Sequence, residues 1–158
     1  MQSHVVRSIV IGALAAIGMM LLTCVPPNRQ PIIETIKTEE APAAIGPYSQ
    51  AIRIGGILFC SGQIPLDPNT GEIVQGGIEA ETRQVMENLG AVLKAADMDY
   101  SNVVKATVFL SDLNDYAAMN AVYATYFKDN PPAREAVEVS RIAKGAKLEI
   151  SFIAVKAR

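Results

Sequence analysis

Histidine is almost missing from this chain: His4 is the only one in 158 residues, and Cys24 and Cys60 are the only cysteines. Three such side chains cannot assemble a Cys/His zinc site, a Ser-His-Asp triad or a disulfide framework. A charge excess of one sign is missing too. Fourteen Lys and Arg against 16 Asp and Glu leave a net charge of −2, so there is no basic field to neutralise a nucleic-acid backbone, which argues against nucleic acid as a partner. Charged residues reach only 19% while hydrophobic ones make up 50%, too apolar for a disordered chain and slightly too apolar for an average soluble domain. Chemistry must therefore come from Arg, Glu, Tyr, Asn, Ser and the backbone, and some apolar sequence must lie outside an ordinary core.

That surplus is concentrated at the start. Arg7 is the one firm positive charge before an uncharged run from Ile9 to Leu22, IVIGALAAIGMMLL, which is the n-region and h-region order of a signal peptide. As a helix this run reaches about 21 Å, short of a ~30 Å hydrocarbon core, which favours a signal over a spanning anchor. Leu21-Leu22-Thr23-Cys24 is similar to the bacterial lipoprotein signal, in which the Cys after the cut receives the lipid; Thr23 departs from it, because the motif prefers Gly, Ala or Ser there. Residues 1–23 are thus expected to be a signal peptide or membrane anchor, with Cys24 the candidate for lipidation. The expected location is the periplasm or a membrane surface reached by export, with the cytoplasm as the alternative. Residues 24–31 hold three prolines and no apolar periodicity, as an extended tether would. The folded domain is expected over 32–158, long enough to bury about two thirds of the surface its unfolded chain exposes.

Within the domain, Ile32 to Lys37 reads as a short strand. Ser49 to Ile54 and Ile57 to Gln63 are β-rich runs around Gly55-Gly56, a two-residue hairpin signal. From Ile78 to Ala96 the apolar residues Val85, Met86, Leu89, Val92 and Leu93 recur at helical spacing behind the early acids Glu79 and Glu81. Val103 to Leu110 is a buried strand, and Tyr116 to Phe127 a second helix closed by Asn130-Pro131-Pro132. Ala133 to Val139 and Lys147 to Lys156 complete the strands. In the last one Leu148, Ile150, Phe152 and Ala154 share one face, and Glu149, Ser151, Ile153 and Val155 the other. The order β-β-β-α-β-α-β-β gives an α+β fold, a mixed sheet with two helices on one face. An isolated protomer would leave Ile153 and Val155 wet, which an oligomer remedies. Cys60, closing the apolar run from Ile57, is expected to be a buried thiol with no disulfide role.

Three segments hold polar residues that packing alone does not explain. Tyr48 follows a rigid Gly46-Pro47 turn. Ser61-Gly62-Gln63 ends a strand where a glycine permits close approach to the main chain. Arg134 and Glu149 begin strands that are candidates for neighbours. Taken singly, each has a plainer reading: a surface-loop tyrosine, a strand-end bulge, a structural ion pair.

Together they resemble the RidA/YjgF family of reactive-intermediate deaminases. The resemblance is carried by APAAIGPYSQA (Ala41 to Ala51), FCSGQIPLDPNTGEI (Phe59 to Ile73), VKATVFLSDLNDYAAMNAVYATYF (Val104 to Phe127), PPAREAVEVSRI (Pro131 to Ile142) and KLEISFIAV (Lys147 to Val155), in order and without a large gap. It implies a chorismate-mutase-like fold and a homotrimer with three clefts between subunits. It implies as substrates short 2-enamino or 2-imino acids such as 2-aminoacrylate, hydrolysed to 2-oxo acids and ammonia, the activity of a 2-iminobutanoate/2-iminopropanoate deaminase. Arg134 would hold the substrate carboxylate, Glu149 would position and activate water, and Tyr48 would line the cleft. Ser61 and Gly62 would give hydroxyl and main-chain contacts, and Asn120 would support the cleft by hydrogen bonding. Such imines hydrolyse unaided, so neither metal nor cofactor is called for. There are departures: many members have a small residue or Cys at the place of Glu135 or Ala136, and Pro at that of Ala143. Glu135 is expected on the face opposite Arg134. The rival reading is a non-catalytic 2-oxo-acid sensor or protective, chaperone-like protein using the same Arg134. An endoribonuclease activity, attributed to some relatives, suits neither the acidic balance nor the lack of a histidine pair.

Overall fold

The computed structural model describes residues 30–156. The expectations for a signal or anchor over 1–23 and for lipid on Cys24 lie outside the described residues. Six strands, β1 (Ile33–Ile36), β2 (Ala51–Ile54), β3 (Ile57–Cys60), β4 (Val103–Leu110), β5 (Ala133–Glu138) and β6 (Leu148–Val155), form one sheet in the order β1-β2-β3-β6-β4-β5. Two helices, α1 (Gly77–Ala95) and α2 (Tyr116–Tyr123), interrupt them in the expected α+β order. Only β4 and β5 pair in parallel, and α2 is the crossover that joins them.

The hairpin forms as its sequence demands: Ile54 pairs with Ile57, and Gly55 takes a φ of 58° between them. β2 starts at Ala51, two residues later than expected. Gln50 is buried there, and its amide donates to the carbonyls of Thr38, Ala41 and Pro42 while its oxygen accepts from Thr38 N, which ties the preceding loop down. β3 ends at Cys60, but the chain rejoins the sheet at Gln63, which bridges Ile150. α2 stops four residues short of Phe127. From Thr125 onward each N–H bonds three residues back, and the Thr125 hydroxyl takes the Val122 carbonyl, so the last turns tighten out of α-helical geometry.

Both helices lie on one face. Val85, Met86, Leu89, Val92 and Leu93 of α1, with Met119 of α2, close over Leu148, Ile150 and Phe152 of β6 and Ala106, Val108 and Leu110 of β4, all of them buried. A β-bulge between Val103 and Lys105 lets Val103 and Ala106, three apart, both face this core. The other face carries no covering element among the described residues: Ile57, Phe59, Val137 and Val155 are exposed there, Phe59 to 43%. Cys60 is free and buried, and burial pushes its thiol to about 12, so it is inert at neutral pH.

Candidate active site

The sheet places Arg134 and Glu149 apart. Arg134 pairs across β5 and β4 with Ala106, whose side chain is fully buried under the helices, so the arginine belongs to the helical face. Glu149 pairs across β6 and β4 with Phe109, and its neighbours Leu148 and Ile150 point into the core, so the carboxylate emerges on the open face. The expectation that their strands neighbour one another is corrected, because β4 runs between them. Neither side chain is in an ion pair among the described residues, which removes the structural ion pair as an explanation.

Each residue sits in its own cavity. The first, about 860 Å³, lies between α2 and β5 and contains Arg134, Asn120 and Ala136 with the apolar walls Leu113 and Phe127. The guanidinium carbon stands 4.6 Å over the ring centre of Tyr123 and 5.7 Å from that of Tyr116, and Arg134 Nη2 donates to Tyr116 Oη at 3.2 Å. Stacking on two rings fixes the plane of the cation while leaving most of its N–H fork unused. The Tyr123 hydroxyl is buried with no hydrogen-bond partner, and burial pushes it up to about 12. The Asn120 side chain and then Arg134 hold the Tyr116 phenol below its ordinary value. Tyr116 and Tyr123 were not singled out from the sequence. The signal was present in the spacing Tyr116, Asn120, Tyr123, which puts all three on one side of α2.

The second cavity, about 360 Å³, holds Tyr48, Ser61, Gly62, Gln50, Ala143 and Glu149. Gly62 immediately precedes the Gln63 and Ile150 bridge, in which each residue donates its N–H to the other's carbonyl. A methyl group at Gly62 would overlap the Glu149 carboxylate, coming within 2.8 Å of its carbon. Glycine is there for space, since the residue has no positive φ. The Ser61 hydroxyl donates to Ser49 O at 2.7 Å, leaving its lone pairs to accept. Tyr48 Oη accepts from Ile45 N at 3.2 Å and the ring stays half exposed at the rim. Tyr48, Ser61, Gly62 and Glu149 are therefore brought together, and Arg134 and Asn120 are brought together elsewhere.

Glu135 faces away from Arg134, as its place in the strand requires. Lys105 Nζ and Thr107 Oγ1 both hydrogen-bond its carboxylate on the open face, and they hold its pKa down, Lys105 first. It does not compete for a ligand held by Arg134. No group of three His, Cys, Asp or Glu side chains among the described residues is placed to hold a metal ion.

Fold and cavities define a class: a small α+β protein with a cationic aromatic pocket on one sheet face and a carboxylate pocket on the other. A family model described as Endoribonuclease L-PSP matches residues 38–156. A RutC family protein of Pyrococcus horikoshii is 58% identical over 123 residues, covering 78% of this chain and 98% of that protein. The 2-iminobutanoate/2-iminopropanoate deaminase of Mus musculus is 48% identical over 125 residues, 79% of this chain and 93% of that protein. The crystal structure of the YjgF gene product of E. coli gives a TM-score of 0.76 at 46% identity, covering 78% of this chain and 99% of that one. The chain belongs to the RidA/YjgF family. These relatives are matched almost whole.

Proposed function

We propose that the protein hydrolyses 2-enamino and 2-imino acids to 2-oxo acids and ammonia, in a site that a homotrimer assembles from the Arg134 pocket of one copy and the Glu149 pocket of the next. The observation that carries this reading is the division of the two groups between opposite faces of a sheet whose open face is apolar. A second copy covering Phe59, Ile153 and Val155 would also bring a foreign guanidinium to the carboxylate. The deaminase activity named for the mouse relative supports the chemistry.

In this scheme Arg134, its plane set by Tyr123, grips the carboxylate through charge-assisted hydrogen bonds. Glu149 takes a proton from water as the oxygen bonds to the imine carbon. The nitrogen of the resulting carbinolamine gains a proton, the C–N bond breaks, and loss of the hydroxyl proton leaves the 2-oxo acid and ammonia. Ser61 and the main chain beside Gly62 hold the substrate against this face, Tyr48 lines it, and Asn120 supports Arg134 through Tyr116. The domain contains no histidine, which makes a histidine-based ribonuclease mechanism a poor match for these cavities.

The test is to generate 2-iminopropionate in situ with an amino-acid oxidase and trap the surviving imine with semicarbazide. Acceleration over the spontaneous rate supports the deaminase. Binding of pyruvate or 2-oxobutyrate without acceleration replaces it with a sensor. We also propose, from the sequence of residues 1–24, that the domain is exported and held at a membrane by lipid on Cys24. The intact mass and N terminus of the native protein test this directly.

A further inference from the structure

We propose that the Tyr116 hydroxyl is the second donor of the carboxylate clamp, contacting the same ligand oxygen as Arg134 and so making this pocket selective for a carboxylate over its neutral derivatives. This rests on the reading of the Arg134 pocket as the place where a 2-oxo or 2-imino acid binds. Tyr116 opens α2, with Asn120 and Tyr123 following at one and two turns on the same side, all facing Arg134 on β5. The phenol oxygen accepts from Arg134 Nη2 at 3.2 Å, so its own proton points elsewhere, and among the described residues nothing accepts it. The side chain is 39% exposed at the mouth of the cavity, so that proton is offered to whatever enters.

The distances close. A carboxylate oxygen about 2.8 Å from both Arg134 Nη2 and Tyr116 Oη lies within hydrogen-bond reach of each, in a triangle whose third side is the observed 3.2 Å. Asn120 and then Arg134 lower the phenol's pKa, which makes it a stronger donor than a free tyrosine. Tyr123 contrasts with it, because its hydroxyl is buried and held near 12. The other charged groups around this end of α2 are Arg134, Lys147 with its partner Asp115, Glu138 and Asp112. Lys147, bonded to Asp115, is raised above its ordinary value. Glu138 and Asp112 accept from the N–H groups of Leu113 and Asn114. Deprotonation of Tyr116 would replace a donor with a repelling anion.

The test measures pyruvate and pyruvamide binding by calorimetry, from pH 6 to pH 10, on the full-length protein and its Tyr116→Phe variant. Phenylalanine keeps the ring under Arg134, and circular dichroism checks the fold of each. Wild type should bind pyruvate with an affinity that falls on the alkaline side before pH 10. Tyr116→Phe should bind pyruvate about tenfold more weakly at pH 7, discriminate less against pyruvamide, and show no alkaline fall. Weaker binding that keeps the alkaline fall means Tyr116 acts only by orienting Arg134, and overturns the contact. Unchanged affinity at pH 7 overturns it as well. If Tyr116→Phe behaves as wild type while wild type hydrolyses the imine, this assignment alone fails; if wild type neither binds nor hydrolyses, the deaminase reading fails and takes this one with it.

Discussion

Arg134 and Glu149 occupy opposite faces of one sheet with β4 between their strands, so a single protomer cannot present both to the same small molecule. The pairing of Arg134 with buried Ala106, and of Glu149 with Phe109 on the open face, fixes this through strand parity, which side-chain rotation cannot undo.

The two groups should fail differently. Arg134→Ala should reduce imine hydrolysis by about two to three powers of ten, because it forfeits the charge-assisted grip. Glu149→Gln should keep pyruvate binding but slow turnover, since the amide fits yet cannot take a proton from water. Steady-state hydrolysis and calorimetry on each variant check this; an Arg134→Ala protein as fast as wild type would refute the assignment.

Gly62→Ala is predicted to act on Glu149 without unfolding the chain. The added methyl collides with the end of a flexible carboxylate side chain, and the backbone there needs no positive φ. Turnover should fall at least about tenfold while the unfolding free energy changes by less than ~1 kcal/mol. Paired kinetics and urea denaturation measure both, and full activity would mean that the position of the carboxylate is unimportant.

Glu81 on α1 predicts a pH dependence of stability. Its carboxylate is buried and accepts from Lys147 N at 2.8 Å, and burial raises its pKa above 4.5 despite that bond. Between the ordinary and the raised value the folded state binds more protons than the unfolded one, so stability is lost as pH rises through that window. The stability of wild type relative to Glu81→Gln, which keeps an acceptor for Lys147, should therefore decline from pH 4 towards pH 7. Parallel curves from denaturant titrations would contradict it.

Much of this was legible from periodicity. Alternation in Leu148 to Val155 identified both the core face and the outward aim of Glu149, and β4 has the limits read from its β-branched run. Helical spacing located α1 to within a residue at each end. What the sequence hid depends on long-range pairing and side-chain competition. Nothing in Arg134 or Glu149 tells which strand separates them. The buried Gln50 that pins residues 38–42 looks like any polar loop residue, and the early end of α2 is set by local bonds around Thr125. The pocket around Arg134 was read only through Asn120, because tyrosines at helical spacing are more often core than ligand contacts.

The central claim is that the site is shared between copies, and mixed assemblies test it most directly. Arg134→Ala and Glu149→Gln chains carrying different affinity tags would be co-expressed and purified through both tags, so that every trimer contains both variants. In a three-membered ring with one Arg134 pocket facing one Glu149 pocket at each boundary, each mixed trimer has one boundary with both native groups, so about a third of wild-type activity should return. Mixed trimers no more active than their two parents would contradict the shared site.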